Sequence, residues 1–368
     1  MTPIRYGIIG AGMMGQEHIR NLALLDGAEV AAIAEPDAEM RAQAEALAPG
    51  AQSFADHRAL LEAGGCDAHV LVAPNDLHFA LMRDLMAAGR PVLCEKPVTT
   101  DPADARRLMD MAGDAAPVWV AMEYRYMASI ARLIEELAAG TAGPARMLAI
   151  REHRYPFLDK VGAWNRFAAR SGGTLVEKCC HFFDLMRLLL GDDPVRVYAS
   201  GGADVNHRDE SYPEGRPDIL DNAFVVVDFA GGARAMLDLC MFAEGALWQE
   251  RVTLSGDVAQ LEARVPGPAR FAPDGREPAA QLAIARRAAR QEEVVEMQVD
   301  ESILDAGDHH GATFYQHRKF LTMVREGGRP EVTLEDGWWA VLMGAAAERS
   351  AVTGQPVDIA EFRRAAAA

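Results

Sequence analysis

Over residues 1–124 the chain alternates between two hydrophobic periods. Short runs of β-branched and other apolar residues fall at 4–9, 30–33, 68–72, 92–94 and 118–121. Between them, at 18–25, 38–47, 79–88 and 102–111, Ala-, Leu-, Met- and Arg-rich stretches carry apolar residues at helical spacing. Strands alternating with helices at this interval predict βαβ units and a doubly wound parallel sheet, an α/β fold.

Beyond about Tyr124 the texture changes. A helix is predicted at 130–137, a strand at 147–150 and a strongly helical run at 175–190. Strand candidates follow at 195–199, 223–229, 233–239, 252–254 and 259–263, with Gly231-Gly232 as a tight hairpin. Hairpin spacing predicts a largely antiparallel sheet. Residues 204–218, polar and rich in Gly and Pro, are expected to form a mobile loop. Helices at 314–325 and 336–349 come next, and 365–368 reads as a disordered tail. The division expected is 1–124 for the first domain and 125–368 for a second α/β domain.

Composition narrows the function classes. The 368 residues include 54 acidic against 37 lysine and arginine side chains, a net charge of −17. That excess argues against general binding to nucleic acid or to an anionic membrane. The longest apolar runs, such as Val225-Val226-Val227, fall far short of the ~18 residues of a membrane helix. Cys66, Cys94, Cys179, Cys180 and Cys240 include no C-x-x-C, which disfavours a disulfide framework or a zinc site. The chain enters a strand pattern at once, so no secretory leader is expected. A cytoplasmic protein fits these features.

Gly10-Ala11-Gly12-Met13-Met14-Gly15 matches G-x-G-x-x-G between a strand and a helix, and a second strand ends in an acid, Glu35. Gly10 allows the tight turn, Gly12 lets the backbone approach a pyrophosphate, and Gly15 lets helix pack on strand. The helix N-terminus offers N–H groups to phosphate. Glu35 would accept hydrogen bonds from ribose hydroxyls and repel a 2′-phosphate, so NAD is the expected cofactor. Glu95-Lys96-Pro97 directly follows the run 92–94. A lysine there points into the crevice of a doubly wound sheet, where desolvation lowers its pKa and it can serve a substrate oxygen. A solvated strand-end lysine is the plain alternative. Within Gly172-Gly173-Thr174-Leu175-Val176-Glu177-Lys178-Cys179-Cys180-His181-Phe182-Phe183-Asp184, helical spacing would put Glu177 and Asp184 beside His181. A neutral imidazole there can take a hydroxyl proton. A surface ion pair with a satisfied histidine is the alternative.

The segments Gly10 to His18, A-P-N-x-L-H (Ala73 to His78), Glu95-Lys96-Pro97 and G-G-T-L-x-E-x-x-x-H-x-x-D, in this order and spacing over about 350 residues, resemble the Gfo/Idh/MocA family of NAD(P)-dependent oxidoreductases. The resemblance implies a Rossmann domain followed by an α/β domain whose open, mostly antiparallel sheet often forms an oligomer interface. A homo-oligomer, dimer or tetramer, is therefore expected. It also implies Lys96, Glu177 and His181 as catalytic residues, with Glu177 replacing the usual aspartate. Pro74, Asn75 and His78 would line the cofactor site with Glu95, and Arg125 would lie on the substrate side. The extra Lys178 points to a substrate other than a plain neutral polyol.

Residues 151–170 hold Arg151, Arg154, Lys160, Arg166 and Arg170 against Glu152 and Asp159. Arginines suit bidentate anion binding, and Tyr155 and Trp164 offer faces for a sugar ring. With His153, these residues suggest an anionic-sugar pocket; salt bridging within the chain is the equal alternative. Tyr315 and His309-His310 are further candidates to face the pocket. The combined expectation is an NAD-dependent sugar or cyclitol dehydrogenase. The runner-up is an NAD-dependent glycosidase working by transient C3 oxidation, for example on a sulfoquinovoside. No metal is expected.

Overall fold

A computed structural model describes residues 2–113, 116–272 and 275–366. The first half runs β1 (Ile4–Ile9), α1 (Met13–Ala23), β2 (Ala28–Ala34), α2 (Ala38–Leu47), β3 (Gln52–Phe54), α3 (His57–Ala63), β4 (Ala68–Leu71), α4 (His78–Ala87), β5 (Val92–Cys94), α5 (Pro102–Ala112) and β6 (Val118–Val120). These strands form a parallel sheet in the order β3-β2-β1-β4-β5-β6. The order reverses between β1 and β4, so a crevice opens at the carboxyl ends of these strands.

The second half runs α6 (Ala128–Ala138), β7 (Ala145–His153), α7 (Ala168–Ser171), α8 (Thr174–Glu177), α9 (Cys180–Leu190), β8 (Pro194–Gly202), β9 (Asn222–Phe229), β10 (Arg234–Cys240), β11 (Trp248–Gly256), β12 (Ala259–Pro266), β13 (Ala280–Arg286), β14 (Gln291–Met297), α10 (Glu301–Leu304), α11 (Ala312–Glu326), α12 (Leu334–Thr353), β15 (Val357–Asp358) and α13 (Ile359–Ala366). Its nine strands are ordered β14-β13-β12-β11-β7-β10-β9-β8-β15 and are antiparallel except for the β7–β10 pair. Side chains alternate across this sheet. Leu148, Ile150, Val225, Val227, Leu237 and Leu239 are buried on the inner face. Tyr198, Phe224, Val226, Met236 and Met147 stay exposed on the outer one.

The structure departs from the sequence expectations in several places. β3, α3, β13 and β14 were not anticipated: β3 has only three residues, and β14 (QEEVVEM) is mostly polar. The run 175–190 is not one helix. Gly172 and Gly173 adopt positive φ, α8 lasts four residues, and α9 restarts at Cys180. Residues 204–218 carry no helix or named strand, yet they are tied down. The Asp221 carboxylate accepts the N–H groups of Asp204, Val205 and Asn206, and Glu210 pairs with Arg166. Residues 365–366 belong to α13, and 367–368 lie outside the described residues.

Helix α12 joins the two halves. It is buried on nearly every side, as an all-round apolar helix must be. Gly337 meets Val120 and Val98 of the first half, and Gly344 lies against the backbone of Leu175 and Val176 in the second. A Cβ on Gly344 would crowd the Leu175 carbonyl. Gly344→Ala should therefore destabilise the protein by about 1–3 kcal/mol. Urea denaturation checks this, and a variant as stable as the parent would mean that α8 yields without cost.

Candidate active site

The crevice is a cleft of about 760 Å³, lined at one end by Gly10, Gly12, Met13, Met14, Glu35, Pro74 and Asn75, and at the other by Glu95, Lys96, Lys160, Trp164 and Glu177. That size suits a small-molecule or cofactor site. Gly10 turns the chain at φ +92°, and any Cβ there would strike Val72. Gly15 lies against the Gly10 carbonyl, so the glycine lets the helix sit on the turn itself rather than on the strand. Gly12, by contrast, faces open space at the N-terminus of α1. These features fit a dinucleotide whose pyrophosphate approaches Gly12. Glu35 also braces the turn: its carboxylate accepts Ala11 N–H at 2.7 Å and Asp37 N–H at 2.9 Å. Asn75 lines the cleft while donating to the Ser171 carbonyl at 3.1 Å. His78, expected among the cofactor-lining residues, is instead fully buried: it bridges the Ala73 and Pro97 carbonyls, each at 2.8 Å, and does not line the cleft. Glu95 pairs with His18 at 2.9 Å, and His18 in turn meets His317 at 2.7 Å.

At the chemical end, Lys96 Nζ donates to the Glu177 carbonyl at 2.9 Å and lies 3.5 Å from Glu177 Oε1. Lys160 Nζ is 3.8 Å from the same oxygen and 4.5 Å from the Trp164 ring centre. Burial opposes the charges on both Lys96 and Glu177, but their mutual attraction prevails. Lys96 is held above the ordinary lysine range, opposite to the lowering expected from desolvation alone. Lys96, Lys160 and Lys178 together bring Glu177 down to about 2. His181 lies flat against Tyr124, ring centres 4.0 Å apart, and its Nδ1 has no hydrogen-bond partner. Burial, then the charges of Lys96 and Lys178, hold this imidazole neutral.

Other predicted neighbours lie elsewhere. Asp184 does not orient His181; it forms a buried bidentate pair with Arg125, whose third nitrogen reaches the Glu331 carbonyl. Arg125 is thus a strut rather than a substrate ligand. His153 projects to the outer face of its sheet and pairs with Asp238 at 3.2 Å, because strand alternation sends its neighbour Glu152 inward instead. Tyr155 stacks on Phe271. Arg166 is buried between Asp159 and Glu210, and Arg170 pairs with Asp76 at 3.0 Å. Arg154 pairs with Glu152. Lys178, the supposed substrate cation, is buried and sits 2.9 Å from Glu152 Oε1. Of the five basic residues in 151–170, Lys160 and Arg170 reach the cleft, and both face carboxylates.

The structure adds Tyr124, which carried no sequence signal, and gives His309 and His310 their places. Tyr124 stacks under His181. His309 stands between Glu17 at 2.9 Å and Glu123 at 3.6 Å; burial opposes its charge, but these two carboxylates raise it to about 9. His310 instead meets Glu277, and Tyr315 packs on Phe314. Only the fold brings these distant acids together.

Residues 4–123 match the oxidoreductase family with the NAD-binding Rossmann fold, and residues 134–359 match its C-terminal alpha/beta domain. The inositol 2-dehydrogenase of Leifsonia xyli subsp. xyli is 34% identical over 201 residues, 53% of this chain and 56% of the relative. The chain thus spans little more than half the length of several curated relatives it matches. Over 97% of this chain and 99% of the relative, it is 26% identical to the myo-inositol 2-dehydrogenase of Thermotoga maritima. The solved levoglucosan dehydrogenase with NADH and levoglucosan shares the fold at a TM-score of 0.81, with 19% identity, over 97% of this chain and 100% of that one. Two glycine substitutions separate fold from cofactor. Gly12→Ala, in open space, should leave stability within about 0.5 kcal/mol of the parent but weaken NAD binding in a calorimetric titration. Gly15→Ala should lose both stability and binding. Equal NAD affinity in Gly12→Ala would remove that glycine from the pyrophosphate site.

Proposed function

The chain belongs to the Gfo/Idh/MocA family of oxidoreductases, and from that premise we propose that it is an NAD-dependent dehydrogenase of a neutral sugar or cyclitol. The observation that carries this reading is a charged Lys96 held by Glu177 at the cleft's chemical end, with the buried His181 kept neutral by burial and by the charge of Lys96. When bound, NAD supplies the hydride acceptor. Lys96, held protonated by Glu177, donates a hydrogen bond to the reacting hydroxyl oxygen. His181, held neutral, receives the hydroxyl proton. Glu177 balances Lys96, and Trp164 offers an apolar face at the rim. The inositol and levoglucosan relatives act on uncharged polyhydroxylated rings, and the carboxylate pairing of Lys160, Arg166, Arg170 and Lys178 favours the same class over an anionic sugar.

One observation favours the glycosidase as a second reading. Residues 159–170 roof the cleft and are tied across it by the Arg170–Asp76 pair, with Asn75 bonded to the adjoining Ser171. A retained cofactor suits a reaction that returns its hydride. We also propose that the exposed outer-face row of Tyr198, Phe224, Val226 and Met236 joins copies into a dimer or tetramer.

An absorbance assay with NAD, a panel of free cyclitols and sugars, and their nitrophenyl glycosides tests the activity. NADH formation from a free ring supports the dehydrogenase; nitrophenol release in excess of NADH replaces it with the glycosidase. In the active assay Lys96→Ala and His181→Ala should each lower kcat by about 10²–10⁴-fold while NAD affinity holds. For assembly, the parent should sediment as an oligomer and Phe224→Asp/Met236→Asp as a monomer; a monomeric parent would refute the interface.

A further inference from the structure

The inner face of the nine-stranded sheet carries a row of four residues in register across β10, β7, β11 and β12: Leu239, Glu152, Glu250 and Val265. All four are buried. The two carboxylates stand directly opposite each other, where like charges oppose strand pairing. Glu152 Oε1 receives Lys178 Nζ at 2.9 Å and Arg154 Nη1 at 3.3 Å, and Glu250 Oε1 accepts Gln249 Nε2 at 2.6 Å. The second oxygen of each carboxylate has no hydrogen-bond partner. Two buried carboxylates with a free oxygen apiece are best satisfied when they hold one proton between them. Contacts then lead to the site in two steps: Lys178 Nζ donates to the Tyr124 hydroxyl, and the Tyr124 ring lies against His181.

We propose that Glu152 and Glu250 are a proton-sharing pair that acts through Lys178 and Tyr124 to set the charge beneath His181, which makes them positioning residues. Only the kinetic consequence rests on His181 as the proton acceptor. The charged groups facing the pair are Lys178 from the α8–α9 turn and Arg154 after β7, with the Tyr124 hydroxyl beyond them; further out, Glu123 after β6 acts on Tyr124, Lys96 after β5 on Lys178, and His309 before α11 on His181. The flanking strands present only Leu239 and Val265. Burial, and then Glu152, push the Glu250 carboxyl up to about 7. The sign follows: the folded protein keeps a proton that the unfolded chain releases near 4.5, so this contribution to stability is full below about 4.5 and lost as pH rises through about 7.

Urea denaturation of the parent and Glu250→Gln from about pH 4 to about pH 9 tests the pair. The parent should lose stability relative to the variant between about 4.5 and about 7, with a constant gap above that window. Parallel curves throughout would overturn the shared proton. Glu152→Gln must flatten the same window, so the pair remains testable if Glu250→Gln fails to fold. With a substrate from the panel, the kcat ratio of Glu250→Gln to parent should be level below about pH 7 and diverge above it. A ratio independent of pH, alongside the stability gap, would overturn the positioning role. If no substrate turns over, the proposed function fails while the stability comparison still decides the pair.

Discussion

Lys96 and Glu177 come from opposite halves of the chain; Glu177 is buried, and the Lys96 side chain keeps only 15% of its surface in water. A buried charge left unpaired costs several kcal/mol, so either residue alone would strain the fold or surrender its charge. β5 delivers Lys96 at its carboxyl end; α8 delivers Glu177. α8 can reach that place because Gly172 and Gly173 turn the chain sharply and Gly344 lets α12 approach its backbone closely. The ion pair therefore joins the two sheets as well as equipping the cleft. It also divides the chemistry: Glu177 keeps Lys96 charged, and the positive charge of Lys96 in turn helps keep His181 neutral.

Strand alternation decides which polar residues join this centre. Along β7, Leu148, Ile150 and Glu152 point inward, while Arg151 and His153 point to the outer face. One residue of register separates a buried carboxylate beneath the site from a histidine paired with Asp238. The inward glutamate then needs compensation, which Lys178 and Arg154 provide. A lysine that looks available for substrate is thus spent on the protein's own acid.

The same pairing sets the character of the cleft. Arg166 and Arg170, which would make an anion site if free, are held by Asp159, Glu210 and Asp76. Lys160 faces Glu177. Local charge is nearly balanced, so recognition falls to hydrogen bonds and the Trp164 face, a combination suited to hydroxyl-bearing rings. The ties over the cofactor end, Asn75 to Ser171 and Arg170 to Asp76, join the first half to the segment that covers it.

The alternation of short apolar runs with helically spaced stretches over residues 1–124 was enough to predict a parallel sheet, though not its short β3 and α3, because strands buried on both faces read as continuous apolar runs between amphipathic helices. The glycine fingerprint, Glu35, Lys96 and Glu177 were legible for the same reason: their places follow from strand ends and short turns. Arg125, His78, His153 and Arg166 were not, since nothing local says whether a charge meets a ligand or a distant partner such as Asp184 or Glu210. Tyr124 and the Glu152–Glu250 pair were silent in sequence, and His309 was a pocket candidate without legible partners. Their roles arise only where residues as many as 292 positions apart are packed together, and where desolvation makes an unpaired charge costly.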